Sequence, residues 1–174
     1  MKVKVKKLNE NAKLPEKTHD SDFCFDCYAT SVEEVAKDVY KYGIGLAFQI
    51  ERGKEKIGTI KEAIEMRRGR EMINSFLDFT TSDKVRLSLD FRPRSSIYKT
   101  GMLLSNSTGT IDEEYRGEVS AIFYHINKKL PIYKVGERIG QIKLGLTFDI
   151  DWVEVDELSD SNRGTGGFGS TGRK

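Results

Sequence analysis

Several stretches of the chain alternate apolar and polar residues with period two, the pattern of half-buried strands. Lys84-Val85-Arg86-Leu87-Ser88-Leu89-Asp90-Phe91 is the clearest, and Leu146-Thr147-Phe148-Asp149-Ile150-Asp151-Trp152 repeats it. Val119 to Ile126 is apolar at both parities and rich in branched and aromatic residues, which predicts a central strand covered on both faces. At the N-terminus, Met1-Lys2-Val3-Lys4-Val5-Lys6-Lys7-Leu8 predicts an edge strand whose lysines discourage pairing with other chains. Ser31-Val32-Glu33-Glu34 can open a helical turn, whereas Val39 to Phe48 reads as strand, and the stretch stays open between the two. Together these segments predict a mainly β domain.

One region changes period. From Thr59 to Leu77 apolar residues recur at helical spacing, with Ile60, Ala63 and Ile64 in one block and Met72, Ile73, Phe76 and Leu77 in the next. Thr59 followed by Glu62 resembles a capping box. Gly69, inside Arg67-Arg68-Gly69-Arg70, can kink or split the helix, because glycine costs roughly 1 kcal/mol there relative to alanine. The arginines read either as a binding site or as a solvated face whose charge Glu62, Glu65 and Glu71 offset.

Composition narrows the class. The chain has 174 residues, 29 basic and 27 acidic side chains, a formal charge of +2 and 37% hydrophobic residues, the profile of one folded domain. That balance excludes a protein that holds a nucleic-acid polymer by charge alone, so any anion is met locally. No apolar run approaches the ~18–20 residues that span a bilayer, and no continuous apolar run of a signal peptide is present, which predicts a cytoplasmic protein without a membrane segment. Cys24 and Cys27 have a Cys-x-x-Cys spacing that suits a redox pair, half a zinc site, or two small apolar groups on a strand. Only His19 and His125 could add imidazole ligands, and neither has ligand spacing to the pair.

Glycine is unevenly placed: five of the 16 fall at positions 164, 166, 167, 169 and 172. Gly164 to Gly169 formally matches G-x-G-x-x-G, but the strand-turn-helix setting of a dinucleotide fingerprint is missing, since the polar stretch Asp156 to Asn162 precedes it. Residues 159–174 read as a flexible arm following a domain of residues 1–158. That arm is either a plain tail or a lid. Arg163, Ser170 and Thr171 offer phosphate donors, the glycines let amides turn toward an anion, and Phe168 suits stacking on a planar ligand.

A second dense patch is Arg92-Pro93-Arg94-Ser95-Ser96, where a guanidinium and hydroxyls at a strand end converge on one anion. Downstream, Asn106-Ser107-Thr108-Gly109 reads as the turn of a hairpin that presents backbone donors and acceptors. Asp112 follows as a candidate general base.

These blocks together resemble the trimeric deoxyuridine triphosphatases, whose five ordered motifs all have counterparts here. The first, Asp22-Phe23-Cys24-Phe25-Asp26-Cys27-Tyr28-Ala29, is loose, with Cys24 where the family has glycine. Pro93-Arg94-Ser95-Ser96 and Gly109-Thr110-Ile111-Asp112-Glu113-Glu114-Tyr115-Arg116-Gly117-Glu118 match closely. The fourth, Gly136-Glu137-Arg138-Ile139-Gly140-Gln141, carries Gly140 where alanine is usual, and the fifth runs from Arg163 to Gly172.

The resemblance implies a jelly-roll-like β-barrel subunit, a homotrimer with sites shared between subunits, and hydrolysis of dUTP to dUMP and pyrophosphate with Mg²⁺. It implies that Asp112 activates the attacking water, that Gln141 helps hold water or phosphate, and that Arg94, Ser95 and Ser96 bind phosphate oxygens. Asn106, Gly109, Thr110 and Ile111 would read uracil through the backbone, and Tyr115 would stack beneath the deoxyribose. Asp26 would reach Mg²⁺ through a water. Arg163, Phe168, Gly169, Ser170 and Thr171 would close over a neighbouring subunit's site. The interval between the first two motifs is longer than is usual for the family, which implies a helical insertion around residues 52–83, packed outside the trimer and available to a protein partner. Two alternatives share these features. A dCTP deaminase also carries Arg-Ser-Ser, but the position of its catalytic glutamate is Ile122 here. A nucleotide-binding regulatory module would not require Asp112 and Gln141 together.

Overall fold

The computed structural model describes residues 2–51 and 85–166. Along them run β1 (Lys2–Lys7), β2 (Phe25–Tyr28), β3 (Ser31–Ala36), β4 (Val39–Gly43) and β5 (Leu46–Glu51). After the undescribed interval come β6 (Val85–Arg92), a short 3-10 helix (Ser95–Lys99), β7 (Met102–Leu104), β8 (Gly109–Ile111), β9 (Ser120–His125) and β10 (Arg138–Phe148). The protein is mainly β, as the alternation predicts. The helical insertion expected over 52–83 lies outside the described residues.

The strands form three antiparallel sheets. One has β1 beside β5, a second runs β2-β10-β6-β8, and a third runs β3-β4-β9-β7. Among the described residues these ladders do not close into a single barrel. Strand β10 is the organiser of the second sheet, pairing with β2 through Gln141↔Asp26 and with β6 from Gln141↔Arg92 to Phe148↔Val85. A register shift between Arg138 and Gly140 bends it beside β2.

The two four-stranded sheets contribute their inner faces to one core. Cys27, Leu89, Phe91, Ile139 and Ile142 come from the second sheet, and Tyr42, Met102, Leu104, Ala121 and Phe123 from the third. Tyr42, Phe123 and Tyr133 pack edge to face with centroids 5.6–6.2 Å apart, and the Tyr42 hydroxyl donates to the Tyr133 carbonyl at 2.9 Å. Fully burying such rings without leaving the Tyr42 hydroxyl unpaired is what makes this cluster favourable.

Four expectations change. Ser31 to Glu34 is strand, because it pairs with β4. The strand predicted from Leu146 to Trp152 ends at Phe148, and Ile150, Trp152, Val153 and Leu158 beyond it are exposed. Within Val119 to Ile126, Ser120–His125 is an interior strand, but Val119, Ala121 and Phe123 alone are deeply buried, while Ile122 and Tyr124 face out with Leu103. Among the described residues, no layer covers its second face. Finally, the Asn106–Gly109 turn does not close a paired hairpin: β7 pairs with β9 and β8 pairs with β6, so the turn carries the chain between opposite sheets. Ser107 takes φ 56° there.

Candidate active site

Cross-strand register assembles the first cluster. Asp26, Gln141 and Arg92 stand in one row across β2, β10 and β6. The Asp26 carboxylate is 3% exposed. Its Oδ1 accepts from Arg94 Nε and from Gln141 Nε2, both at 3.0 Å, and its Oδ2 accepts from Arg138 Nη1 at 2.9 Å. Thr18 Oγ1 lies 3.5 Å from Oδ2. Two guanidiniums on one carboxylate leave a net positive charge. The Arg94 and Arg138 side chains are 25% and 40% exposed, so that charge is offered to solvent and to an anion. Arg94 spends Nε on Asp26 and precedes Ser95 and Ser96, which open the 3-10 helix. The cluster thus has the chemistry of a phosphate anchor.

Next to Asp26, Cys27 points into the core. Burial, helped by the Asp26 charge, pushes its thiol up to about 12. The described residues hold no group of three or more His, Cys, Asp or Glu side chains placed for a metal. Cys24 and Cys27 are both free thiols.

The second cluster is a pocket of about 290 Å³ between β8 and β9. Asn106, Gly109, Thr110, Ile111, Asp112 and Tyr115, all expected from sequence, line it together. Asp112 is exposed at the end of β8, and its carbonyl accepts from the Tyr115 amide at 3.0 Å. The Tyr115 hydroxyl donates to the Glu118 carbonyl at 3.0 Å, and its ring lies so close to Gly117 that a Cβ there would sit 2.4 Å from the hydroxyl oxygen. Glu118 Oε1 in turn accepts from the Gly45 amide at 2.7 Å. These contacts fix the tyrosine ring at the pocket mouth.

The two clusters stand apart. Asp26 is three strands from β8, roughly 14 Å at ordinary strand spacing. Register continues from Leu89↔Ile111, so Asp112 lies level with Ser88, four residues from Arg92, which adds roughly 13 Å along the strands. Asp112 and Asp26 are therefore about 20 Å apart within one chain.

Arg163 lies in a turn, its Nε donating to the Gly166 carbonyl at 2.9 Å, with Gly164 at φ +49°. Phe168, Gly169, Ser170 and Thr171 lie outside the described residues. Sequence reading quoted Arg138 without giving it a role, and it missed Thr18 and Phe91. Arg138 has a signal, since β10 alternates and Arg138 precedes the motif's Gln141 by three residues across a register shift. Phe91 has one too, as the last inward position before Arg92-Pro93-Arg94. Thr18 has none.

Comparison with known proteins gives a consistent picture. Residues 66–172 match the family model described as dUTPase. A deoxyuridine 5'-triphosphate nucleotidohydrolase of Nautilia profundicola is 34% identical, the alignment covering 99% of this chain and 100% of that one. One from Helicobacter pylori is 30% identical over 99% of this chain and 97% of its own. Among solved structures, a Staphylococcus bacteriophage 80alpha dUTPase mutant with dUpNHpp has the same fold, with a TM-score of 0.67 at 21% identity over 99% of both chains.

Proposed function

The chain belongs to the dUTPase family, and from that premise we propose how its own residues divide the work of hydrolysing dUTP to dUMP and pyrophosphate. It is a dUTP diphosphatase, a reaction that limits uracil incorporation into DNA and supplies dUMP for thymidylate synthesis. The reading rests on one observation above all: Asn106, Gly109, Thr110, Ile111, Asp112 and Tyr115 line a single pocket.

In this reading uracil enters between β8 and β9. The backbone of Asn106 through Ile111 hydrogen-bonds its edge and leaves no room for a 5-methyl group. Tyr115, fixed by Glu118, lies beneath the deoxyribose and excludes a 2′-hydroxyl. Asp112 accepts a proton from a water whose oxygen attacks the α-phosphorus. The bond from that phosphorus to the α,β-bridging oxygen breaks, and pyrophosphate leaves with the electron pair. Arg94, Ser95, Ser96 and Gln141 hold the phosphate oxygens as charge shifts onto the leaving group. The arm from Arg163 would close over the site, Phe168 stacking on uracil and Gly169, Ser170 and Thr171 donating to the γ-phosphate.

Asp26 is compatible with Mg²⁺ in a limited sense. The ion commonly keeps its waters and uses one carboxylate with substrate phosphates. Of the donors on Asp26, Thr18 at 3.5 Å is the loosest, so Oδ2 can accept from a metal-bound water there. Mg²⁺ carried on the triphosphate would supply neutralisation of its negative charge.

We read the assembly as a homotrimer of jelly-roll-like subunits, and the separation of the two clusters supports sites shared between copies. One triphosphate cannot bridge about 20 Å, so the base pocket of one copy works with the Asp26–Arg94–Gln141 anchor of another. The outward Ile122, Tyr124 and Leu103 support such a contact, since an apolar sheet face needs a covering layer. No described helix is long and apolar enough to cross a membrane, and the nucleotide substrate suits the cytoplasm. Deamination of dCTP is not favoured, because Ile122 cannot act as an acid or base.

The test is pyrophosphate release from dUTP, dTTP, dCTP and UTP, with and without Mg²⁺, beside Asp112→Asn. Strong preference for dUTP and a loss of roughly 10³-fold in the variant are expected. Equal turnover of the four nucleotides, or full activity in the variant, would overturn the reading.

A further inference from the structure

We infer that Phe91 and Gly140 are a size-matched pair that sets the depth of the base pocket, Gly140 acting as a positioning residue through the Phe91 ring. The argument starts from β10. Gly140 faces the core from that strand, and its φ is not in the left-handed region, so its backbone does not require glycine. What requires it is the Phe91 ring. A Cβ at position 140 would lie 2.1 Å from Phe91 Cζ, 2.6 Å from Cε1 and 2.7 Å from Cε2. Ordinary carbon contacts are ~3.5–4.0 Å, so an alanine there would need a relative shift of about 1.5 Å.

Either the ring or the strand must give. Strand β10 is held on both sides, by β2 at Cys27 and Asp26 and by β6 from Arg92 onward, and the next residue, Gln141, is tied to Asp26. The ring has room only in the other direction. Phe91 is 2% exposed and also lines the pocket with Leu104 and Ala121; its register partner on β10 is Ile142, two residues from Gly140, and its partner on β8 is a second glycine, Gly109, where a Cβ would meet nothing closer than 3.3 Å. Phe91 thus stands between the backbone of β10 and the space assigned to uracil. A methyl group behind it would press the ring into a cavity of about 290 Å³. The glycine in place of alanine in the fourth motif is then explained by the large ring at 91.

This rests on the assignment of the pocket to the base, and the experiment separates the two. Binding of deoxyuridine and of inorganic tripolyphosphate is measured by calorimetry on the full-length protein, alongside KM and kcat for dUTP. Gly140→Ala is expected to weaken deoxyuridine and raise KM by about tenfold, with tripolyphosphate affinity and kcat within roughly twofold. Adding Phe91→Leu to Gly140→Ala is expected to restore both to within about twofold, which also covers the case in which the single variant does not fold. A kcat loss with unchanged deoxyuridine binding means that β10 and Gln141 moved instead, and overturns the inference. So does a folded double variant without rescue. Gly109→Val fills the same pocket from β8. If it leaves deoxyuridine affinity intact while Asp112→Asn still abolishes turnover, the pocket assignment itself fails, and the inference with it.

Discussion

If each site joins the base pocket of one copy to the phosphate anchor of another, two inactive variants should repair each other. Arg94→Ala removes the guanidinium that bonds to Asp26 at 3.0 Å and leaves the pocket of Asp112 intact. Asp112→Asn does the reverse. The separation of about 20 Å within one chain means that neither substitution disturbs the other cluster. Losing an anchoring donor or a general base costs each parent variant roughly 10²–10³-fold in turnover. When the two are unfolded together in equal amounts and refolded, chains meet at random around a closed ring. About a quarter of the interfaces then pair an intact Asp112 with an intact Arg94, so turnover should approach about a quarter of wild type. The assay is pyrophosphate release from dUTP by the co-refolded mixture, compared with each parent refolded alone. A mixture whose activity equals the mean of its parents would refute the shared site, because sites built within single chains always lack one group.

Three further outcomes are expected. Asp26→Asn leaves Arg94 and Arg138 against a neutral, buried amide, and should cost about 3 kcal/mol in urea denaturation and roughly 10²-fold in turnover; unchanged values of both would show the cluster to be inert. Iodoacetamide at pH 8 should label Cys24 in the native protein and Cys27 only in denaturant, read by mass spectrometry, because burial holds the Cys27 thiol near 12. The thermal stability contributed by Cys27 and Tyr42 should be fully present below about pH 8 and be lost as pH rises from there to about 12. Cys27 and Tyr42 are each raised to about 12 from 9.0 and 10.0 by burial, so both stay neutral in the fold while the unfolded chain gives up its protons first. A melting temperature that does not change across that window would contradict the buried, neutral state of both groups.

What could be read in advance depended on how local its cause is. The alternation of Lys84 to Phe91 is a property of one strand against one core, and β6 appears where it says. The motif residues around Asp112 are contiguous, and a contiguous segment carries its own pocket wall. Leu146 to Trp152 failed because alternation needs a partner: among the described residues the last paired position of β10 is Phe148, opposite Val85, and Asp149 to Trp152 pair with no described strand. The turn at Asn106–Gly109 was legible as a turn but not as a passage between sheets, since turn chemistry does not say which strand a neighbour will pair with. The Asp26 cluster was the least legible part. Its members come from positions 18, 26, 94, 138 and 141, and only three-dimensional register brings them onto one carboxylate. Phe91 is one alternating residue among several and Gly140 shows in the sequence only as a departure from the usual alanine; the 2.1 Å approach of a Cβ at 140 to the Phe91 ring is what links them.

The chain leaves the first sheet at the end of β5 and enters the second at the start of β6, two strands that never pair with each other. Glu51 and Val85 pair with different partners, Lys2 and Phe148, so neither sets the other's register. Where a connection between strands that do not pair is flexible, its closure entropy rises by only about 0.6 kcal/mol for each doubling of its length. Natural variation can therefore add or delete residues at this junction at small thermodynamic cost, while a change of one residue between β8 and β9 would shift Asp112 against its pocket. Length variation among relatives should concentrate at this one passage, which makes it the position of choice for inserting a tag or a reporter domain into a working enzyme.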